Sequence, residues 1–243
     1  AGIFRKHRPV VCGQENPPLA LEKAAKDKEV NLNLMGRDFG FKVENNRQWQ
    51  FWIKNKQKIS LPWPSLKGDV QLNNAAVSLA VLDALKSVVP VDLGLIRKGL
   101  VSVVLEGRFQ VLPTKPQIIL DVCHNPHASQ SLSMNLSQMP KVKKTVAIFG
   151  ILSNKDAIGV IEAIKLNIDY WIITPLRTEK NMSPIDLRLA FSQCGISDNK
   201  LRAASSINDS FEIVRDLTSD SDRILVFGSF FLVADTMNFI KGF

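Results

Sequence analysis

The segment Gln117-Ile118-Ile119-Leu120-Asp121-Val122-Cys123-His124-Asn125-Pro126-His127-Ala128 runs from an unbroken apolar stretch through a polar turn into a helix opening. An apolar run without alternation suits a strand covered on both faces, the environment of a parallel sheet. Asn125 as N-cap with Pro126 at the first helical position supplies the helix start. The same strand-turn-helix unit recurs downstream. Apolar runs at 117–122, 145–149, 170–174 and 223–227 alternate with helix-length amphipathic stretches at 126–138, 156–166, 184–194, 207–217 and 230–240. This alternation predicts an α/β fold with a doubly wound, mostly parallel sheet in the C-terminal half.

Upstream of Gly107-Arg108 the pattern differs. A short strand is expected at 9–12, a helix from Pro17-Pro18 to about Lys28, and β-type runs at 31–35, 39–43 and 48–53 forming a small mixed sheet. The tract Leu61-Pro62-Trp63-Pro64 should end regular structure. Two helices follow, at 69–87 and 92–103, each with an acidic residue near its start, Asp69 and Asp92. A proline between the two patterns places the domain boundary near Leu112-Pro113-Thr114, giving domains 1–112 and 113–243.

The 243 residues are 45% apolar and 22% charged, which excludes disordered, collagen-like and coiled-coil architectures. No stretch approaches the about 18 apolar residues of a membrane span. Even 72–85 is interrupted by Asn73, Asn74, Ser78 and Asp83. The opening Ala1-Gly2-Ile3-Phe4-Arg5-Lys6 has no secretory apolar core and no initiator Met, and reads as an internal cut in a longer chain. Three scattered cysteines, Cys12, Cys123 and Cys194, suit a reducing compartment, so a soluble cytoplasmic protein without structural zinc is expected. The net charge of +8 is concentrated upstream: residues 1–112 hold 17 Lys+Arg against 10 Asp+Glu, and 113–243 hold 14 against 13. A solvated basic face or attraction of anionic ligands accounts for this excess. Lys54, Lys56 and Lys58 alternate as on one strand face, and no aromatic RNA-binding motif follows, so no nucleic-acid partner is expected.

Ligands of an open parallel sheet bind beyond the carboxyl ends of its strands. Four such ends are polar: Asp121 to His127, Gly150 to Asp156, Thr174 to Arg177, and Gly228-Ser229. Asp121 can accept from ribose hydroxyls or serve as a turn carboxylate; His124 can donate to a phosphate oxygen or be a structural turn histidine. Lys155 can reach an anion or lie on the surface. His124 and His127 lack further ligands for a metal. Gly228-Ser229 lacks the second glycine of a nucleophile elbow, and no histidine follows His127, so Ser229 is read as a helix cap able to donate to a ligand carboxylate. Neither G-x-G-x-x-G nor G-x-x-x-x-G-K-[ST] occurs. From the residues alone the reading is an anion- or nucleotide-binding α/β domain attached to part of another.

Ala1-Gly2-Ile3-Phe4-Arg5, Asn73-Asn74-Ala75-Ala76, Gly107-Arg108-Phe109-Gln110, Asp121 through Ala128 and Phe227-Gly228-Ser229-Phe230 occur in an order and spacing that resembles the folylpolyglutamate synthase/dihydrofolate synthase family, of bifunctional bacterial type, within the Mur ligase superfamily. The resemblance implies a Rossmann-like Mur ligase C-terminal domain on the glutamate side, preceded by the last part of an α/β ATPase domain. It implies ATP-dependent amide ligation, in which a substrate carboxylate is phosphorylated and the amine of L-glutamate attacks the acyl phosphate, with Mg²⁺ as cofactor. Substrates would be ATP, L-glutamate and dihydropteroate or tetrahydrofolate, the protein a monomer with no membrane partner. By resemblance Asn74 binds adenine, Arg108 reaches ribose and phosphates, Asp121 holds the ribose, and His124 approaches the terminal phosphate as the catalytic residue. Ser229 and, as an anion contact, Lys155 belong to the glutamate side. The family's phosphate loop, principal Mg²⁺ ligands and a modified lysine would precede Ala1, so residues 1–243 alone are expected not to turn over. Two positions depart from the family pattern: Glu106, where a proline often stands, and Phe231, in place of a polar residue. A non-catalytic nucleotide- or anion-binding module is the competing reading, and a ligase acting on a peptidoglycan precursor a third, disfavoured by the His-Asn-Pro-His run.

Overall fold

The chain divides after Val104 into two units, Ala1–Val104 and Leu105–Phe243, in a computed structural model that describes residues 2–45, 48–66 and 68–241. The first contains β1 (Pro9–Cys12), α1 (Leu19–Asp27), β2 (Asn31–Leu34), β3 (Phe39–Val43), β4 (Gln48–Ile53), β5 (Ile59–Pro62), α2 (Asp69–Ala84) and α3 (Leu93–Ser102). Ala1 and the side chain of Asp69 lie outside the described residues. The single mixed sheet expected from the sequence is instead two sheets. β1 and β2 pair in parallel, with α1 as the crossover, and β3-β4-β5 form an antiparallel meander. β5 forms where prolines were expected to end regular structure, because at a sheet edge Pro62 closes the strand without costing a ladder bond. Its carbonyl accepts from Trp49 Nε1 at 2.8 Å. Lys54, Lys56 and Lys58 do not share a strand face: they follow the end of β4 in the β4–β5 turn, and Lys56 pairs with Asp83 at 2.5 Å. The core packs Trp49, Phe39, Phe51, Met35 and Leu61 against Leu72, Ala76 and Leu79 of α2.

The second unit contains β6 (Gln110–Leu112), β7 (Gln117–Asp121), α4 (Pro126–Gln138), β8 (Thr145–Phe149), α5 (Ala157–Ile164), β9 (Tyr170–Ile173), α6 (Pro184–Gln193), β10 (Leu201–Ala203), α7 (Ile207–Leu217), β11 (Arg223–Phe227) and α8 (Phe230–Lys241). One six-stranded sheet has the order β10-β9-β8-β11-β7-β6, parallel except for β6, which runs antiparallel to β7. β6 and β10 are short edge strands that the sequence did not announce. Since β6 belongs to this sheet, the unit begins upstream of the Pro113 expected to separate the domains.

Successive strand residues feed opposite faces. Ile119, Ala147, Phe149, Trp171, Ile173, Leu225 and Phe227 pack with α4, α5 and α6, whereas Ile118, Leu120, Val146, Ile148, Ile172, Ile224 and Val226 pack with α7 and α8. The architecture is therefore doubly wound. In register, Asp121 lies opposite Phe227, Phe227 opposite Phe149, Phe149 opposite Ile173, and Ile173 opposite Ala203, so the turns leave one sheet edge side by side. Adjacent strands β7 and β11 send the chain to opposite faces, into α4 and α8, which makes their tips a topological switch point.

Candidate functional site

The site grows from the turn before β6. Gly107 (φ +69°) and Phe109 (φ +42°) both occupy the left-handed region, a conformation a bulky residue adopts only where its surroundings enforce it. A Cβ on Gly107 would lie 2.8 Å from Val233 Cγ1 and 3.0 Å from Val122 Cγ1, so this close approach requires glycine. Three contacts enforce the turn: Gly107 O accepts from Val122 N at 2.8 Å, Gln110 Oε1 accepts from Gly107 N at 2.9 Å, and Asp121 Oδ2 accepts from Phe109 N at 2.9 Å. The Phe109 ring is 7% exposed and anchored in the core, leaving Arg108 between two fixed residues and exposed to solvent.

Asp121, the last residue of β7, accepts from Cys123 N through its other oxygen at 2.8 Å. Burial pushes its carboxyl up from the ordinary value, and the Phe109 and Cys123 N–H groups and the Arg108 guanidinium pull it back only partly. The structure thus fills the turn-carboxylate reading of Asp121, while a carboxylate's two remaining lone pairs stay open to a ligand.

His124 Nδ1 lies 2.9 Å from Val122 O. A carbonyl can only accept, so Nδ1 carries the proton and Nε2 is left for a ligand. Asn125 caps α4 through Oδ1, which accepts from Ala128 N at 2.9 Å, with Pro126 in the first turn. The His124 ring lies 5.8 Å from the Phe230 ring, tilted by 48°, and the Arg108 guanidinium carbon lies 5.7 Å from the centre of the same ring. Phe230, the first residue of α8, is 55% exposed.

Ser229 is 2% exposed, and its Oγ accepts from Phe231 N at 3.2 Å, the helix-cap arrangement expected for it. Lys155 is half-buried in the turn before Asp156, which caps α5. That turn is next to the α4 start, since a Cβ on Gly159 would lie 2.7 Å from Pro126 Cγ. At the β9 tip, Thr174 turns inward to bond Ser210 Oγ at 2.7 Å, and Arg177 pairs with Asp235 at 3.7 Å. Arg108, Asp121, His124 and Ser229 therefore gather around β7 and β11, with Lys155 on a neighbouring turn. Asn74 is exposed on α2 of the first unit, its Nδ2 donating to Gln71 Oε1 at 3.2 Å. Sequence reasoning missed Phe230 and Phe109 as parts of the site; the only signal was an aromatic directly after Gly-Ser at a strand tip and another directly after Gly-Arg.

Residues 107–230 match the Mur ligase, glutamate ligase domain. The chain belongs to the Mur ligase family. Among the relatives of this Mur ligase chain, the dihydrofolate synthase/folylpolyglutamate synthase of Buchnera aphidicola subsp. Schizaphis graminum is 32% identical over 238 residues, covering 98% of this chain and 54% of the relative. Escherichia coli FolC in complex with DHPP and ADP superposes with a TM-score of 0.86 at 29% identity, over 99% of this chain and 55% of that one. The bifunctional folylpolyglutamate synthase/dihydrofolate synthase of Yersinia pestis complexed with AMPPNP and Mn gives 0.83 at 30% identity, over 99% and 55%. The chain thus spans about half the length of the curated relatives it matches. The Yersinia pestis protein thus holds a nucleotide analogue together with a divalent cation. Among the described residues of this chain no three of His, Cys, Asp and Glu come together, so these residues do not form a cage for Mg²⁺.

Proposed function

We propose that this chain is the C-terminal part of an ATP-dependent amide ligase that adds L-glutamate to dihydropteroate, to folylpolyglutamate or to both. The residues before β6 would be the last part of its ATP-binding domain, and the glutamate-side domain, expected from the sequence at 113–243, would extend upstream of Pro113 to include β6. The single observation that carries the reading is that Arg108, with its donor fork free, and His124, with Nε2 free, meet on the Phe230 ring beside Asp121 at the β7–β11 switch point. It is supported by the glutamate ligase domain match and by relatives solved with DHPP, ADP, AMPPNP and Mn.

In this reading the substrate carboxylate attacks the γ-phosphorus of ATP, ADP leaves, and the glutamate amine then attacks the acyl carbon and expels phosphate. Arg108 meets the ribose and phosphates with its guanidinium fork, and charge on the transferred group is stabilised by such preorganised donors. Asp121 holds the ribose through its open lone pairs. A protonated His124 donates from Nε2 to the terminal phosphate, whereas the neutral ring presents only a lone pair there. Asn74 contacts adenine, and Ser229 and Lys155 face the glutamate carboxylates. Mg²⁺, when bound, would neutralise charge on the phosphates; no residue described here is assigned to hold it. The enzyme would work in the cytoplasm as a monomer.

The test is ATP- and glutamate-dependent extension of dihydropteroate or tetrahydrofolate by the full-length protein, with residues 1–243 alone inactive. Arg108→Ala should raise the KM for ATP about 10- to 100-fold, the loss of a charged hydrogen bond of about 1.5–3 kcal/mol, with the melting temperature unchanged. Nucleotide binding by a full-length protein without ligation would select the non-catalytic module instead.

A further inference from the structure

We propose that Phe230 is a positioning residue whose exposed ring holds the Arg108 guanidinium and the His124 imidazole together, with the Arg108 donor fork and His124 Nε2 left free for a ligand. The proposal rests on the reading of Arg108 and His124 as the phosphate-facing pair. The physical problem at such a site is to order a long cation without neutralising it. A carboxylate partner would fix Arg108 but occupy the donor fork that must later meet phosphate. A ring face fixes the guanidinium plane and leaves all five N–H groups unspent.

The geometry follows that solution. Among the described residues Arg108 has no ion pair within 4 Å, and each oxygen of the nearby Asp121 carboxylate, whose field the guanidinium feels, already accepts one backbone N–H. The guanidinium lies over the Phe230 ring, its carbon 5.7 Å from the ring centre. His124 is treated alike: Nδ1 is tied to Val122 O, the ring leans on Phe230 at 5.8 Å, and Nε2 is left over. Phe230 is itself held. Gly228, at φ +113°, makes a turn a side chain would obstruct, and Ser229 caps the helix that Phe230 opens. At 55% exposure the Phe230 ring keeps a face accessible to both neighbours.

The test uses the full-length protein with Phe230→Leu and Phe230→Trp. Phe230→Leu should raise the ADP dissociation constant and the KM for ATP about 3- to 10-fold, since it removes ordering worth a cation–π contact. The KM for glutamate should stay put. In the ligand-free protein, relaxation of Arg108 Nε should show a more mobile side chain. Phe230→Trp, with the better cation–π face, should restore both readouts. Combined with Arg108→Ala, Phe230→Leu should add less than a further twofold to the nucleotide KM. Wild-type ADP affinity in Phe230→Leu, failure of Phe230→Trp to restore it, or fully multiplicative effects in the double variant would each overturn the proposal. A wild-type protein that binds no ADP overturns the functional reading and this proposal with it; intact ADP binding with an indifferent Phe230→Leu overturns this proposal alone.

Discussion

At the scale of single residues, Asp121 shows how one side chain serves both the fold and the site. Its two oxygens take the N–H groups of Phe109 and Cys123, and the first of these stabilises a phenylalanine at φ +42°. Losing that acceptor would leave a strained turn unsupported and release the segment that presents Arg108. In Asp121→Asn the amide keeps one acceptor oxygen but turns an NH₂ group toward the other N–H. The expected loss is about 1.5–3 kcal/mol, read as a fall in melting temperature of roughly 4–10 °C. ATP affinity should fall as well, because Arg108 loses its frame. A variant melting like the wild type would show that the turn stands without the carboxylate. Sequence identified Asp121 and His124 as candidates because polar residues at the end of an apolar run are conspicuous. It could not reveal Phe230, since a phenylalanine in the first turn of an apolar helix looks like any core residue until its exposure is known.

At the scale of elements, the strand tips are joined through glycines. A Cβ on Gly228 would lie 2.5 Å from Gly150 O and 2.8 Å from the Phe149 ring, and the residue holds φ +113°. Gly228→Ala therefore combines backbone strain with a clash against backbone that cannot move aside. It should cost more than about 2 kcal/mol, measured by urea unfolding, and misplace the start of α8 together with Phe230. A loss under about 0.5 kcal/mol would mean that β8 and β11 can separate freely. The same elements explain what the sequence disclosed. β7, β8, β9 and β11 were legible because a strand covered on both faces has an apolar run through its middle, and all five residues of β8 and β11 are buried, polar only at their first positions, Thr145 and Arg223. β6 and β10 were not, because three residues at an edge, Gln110-Val111-Leu112 and Leu201-Arg202-Ala203, carry no period to detect. β5 was hidden by Pro62, whose tolerance depends on being at a sheet edge, a fact of topology rather than of local sequence.

At the scale of the whole molecule, the two units have separate cores, and the second carries its sheet, both helix layers and the cluster of Arg108, Asp121, His124 and Ser229. Its first residues decide whether it can stand alone. Residues 105–243 retain the Gly107–Phe109 turn, the β6 pairing of Gln110, Val111 and Leu112 with β7, and the buried Phe109 ring. They also retain the Glu106–Lys241 pair at 3.8 Å, an exposed contact worth little. A piece beginning at Pro113 loses all of these. Removing a buried phenylalanine alone costs about 3–5 kcal/mol, and the unpaired Asp121 oxygen and the uncovered edge of β7 add to it. Against a total stability of about 5–15 kcal/mol, that is enough to unfold a small domain. Residues 105–243 should accordingly show one cooperative thermal transition and a dispersed amide spectrum, whereas 113–243 should melt at least 10 °C lower, by roughly 2–4 °C per kcal/mol, or fail to fold. Equal melting temperatures would mean that the turn carrying Arg108 is an appendage of the sheet, and the structural argument for its fixed placement would fail with it.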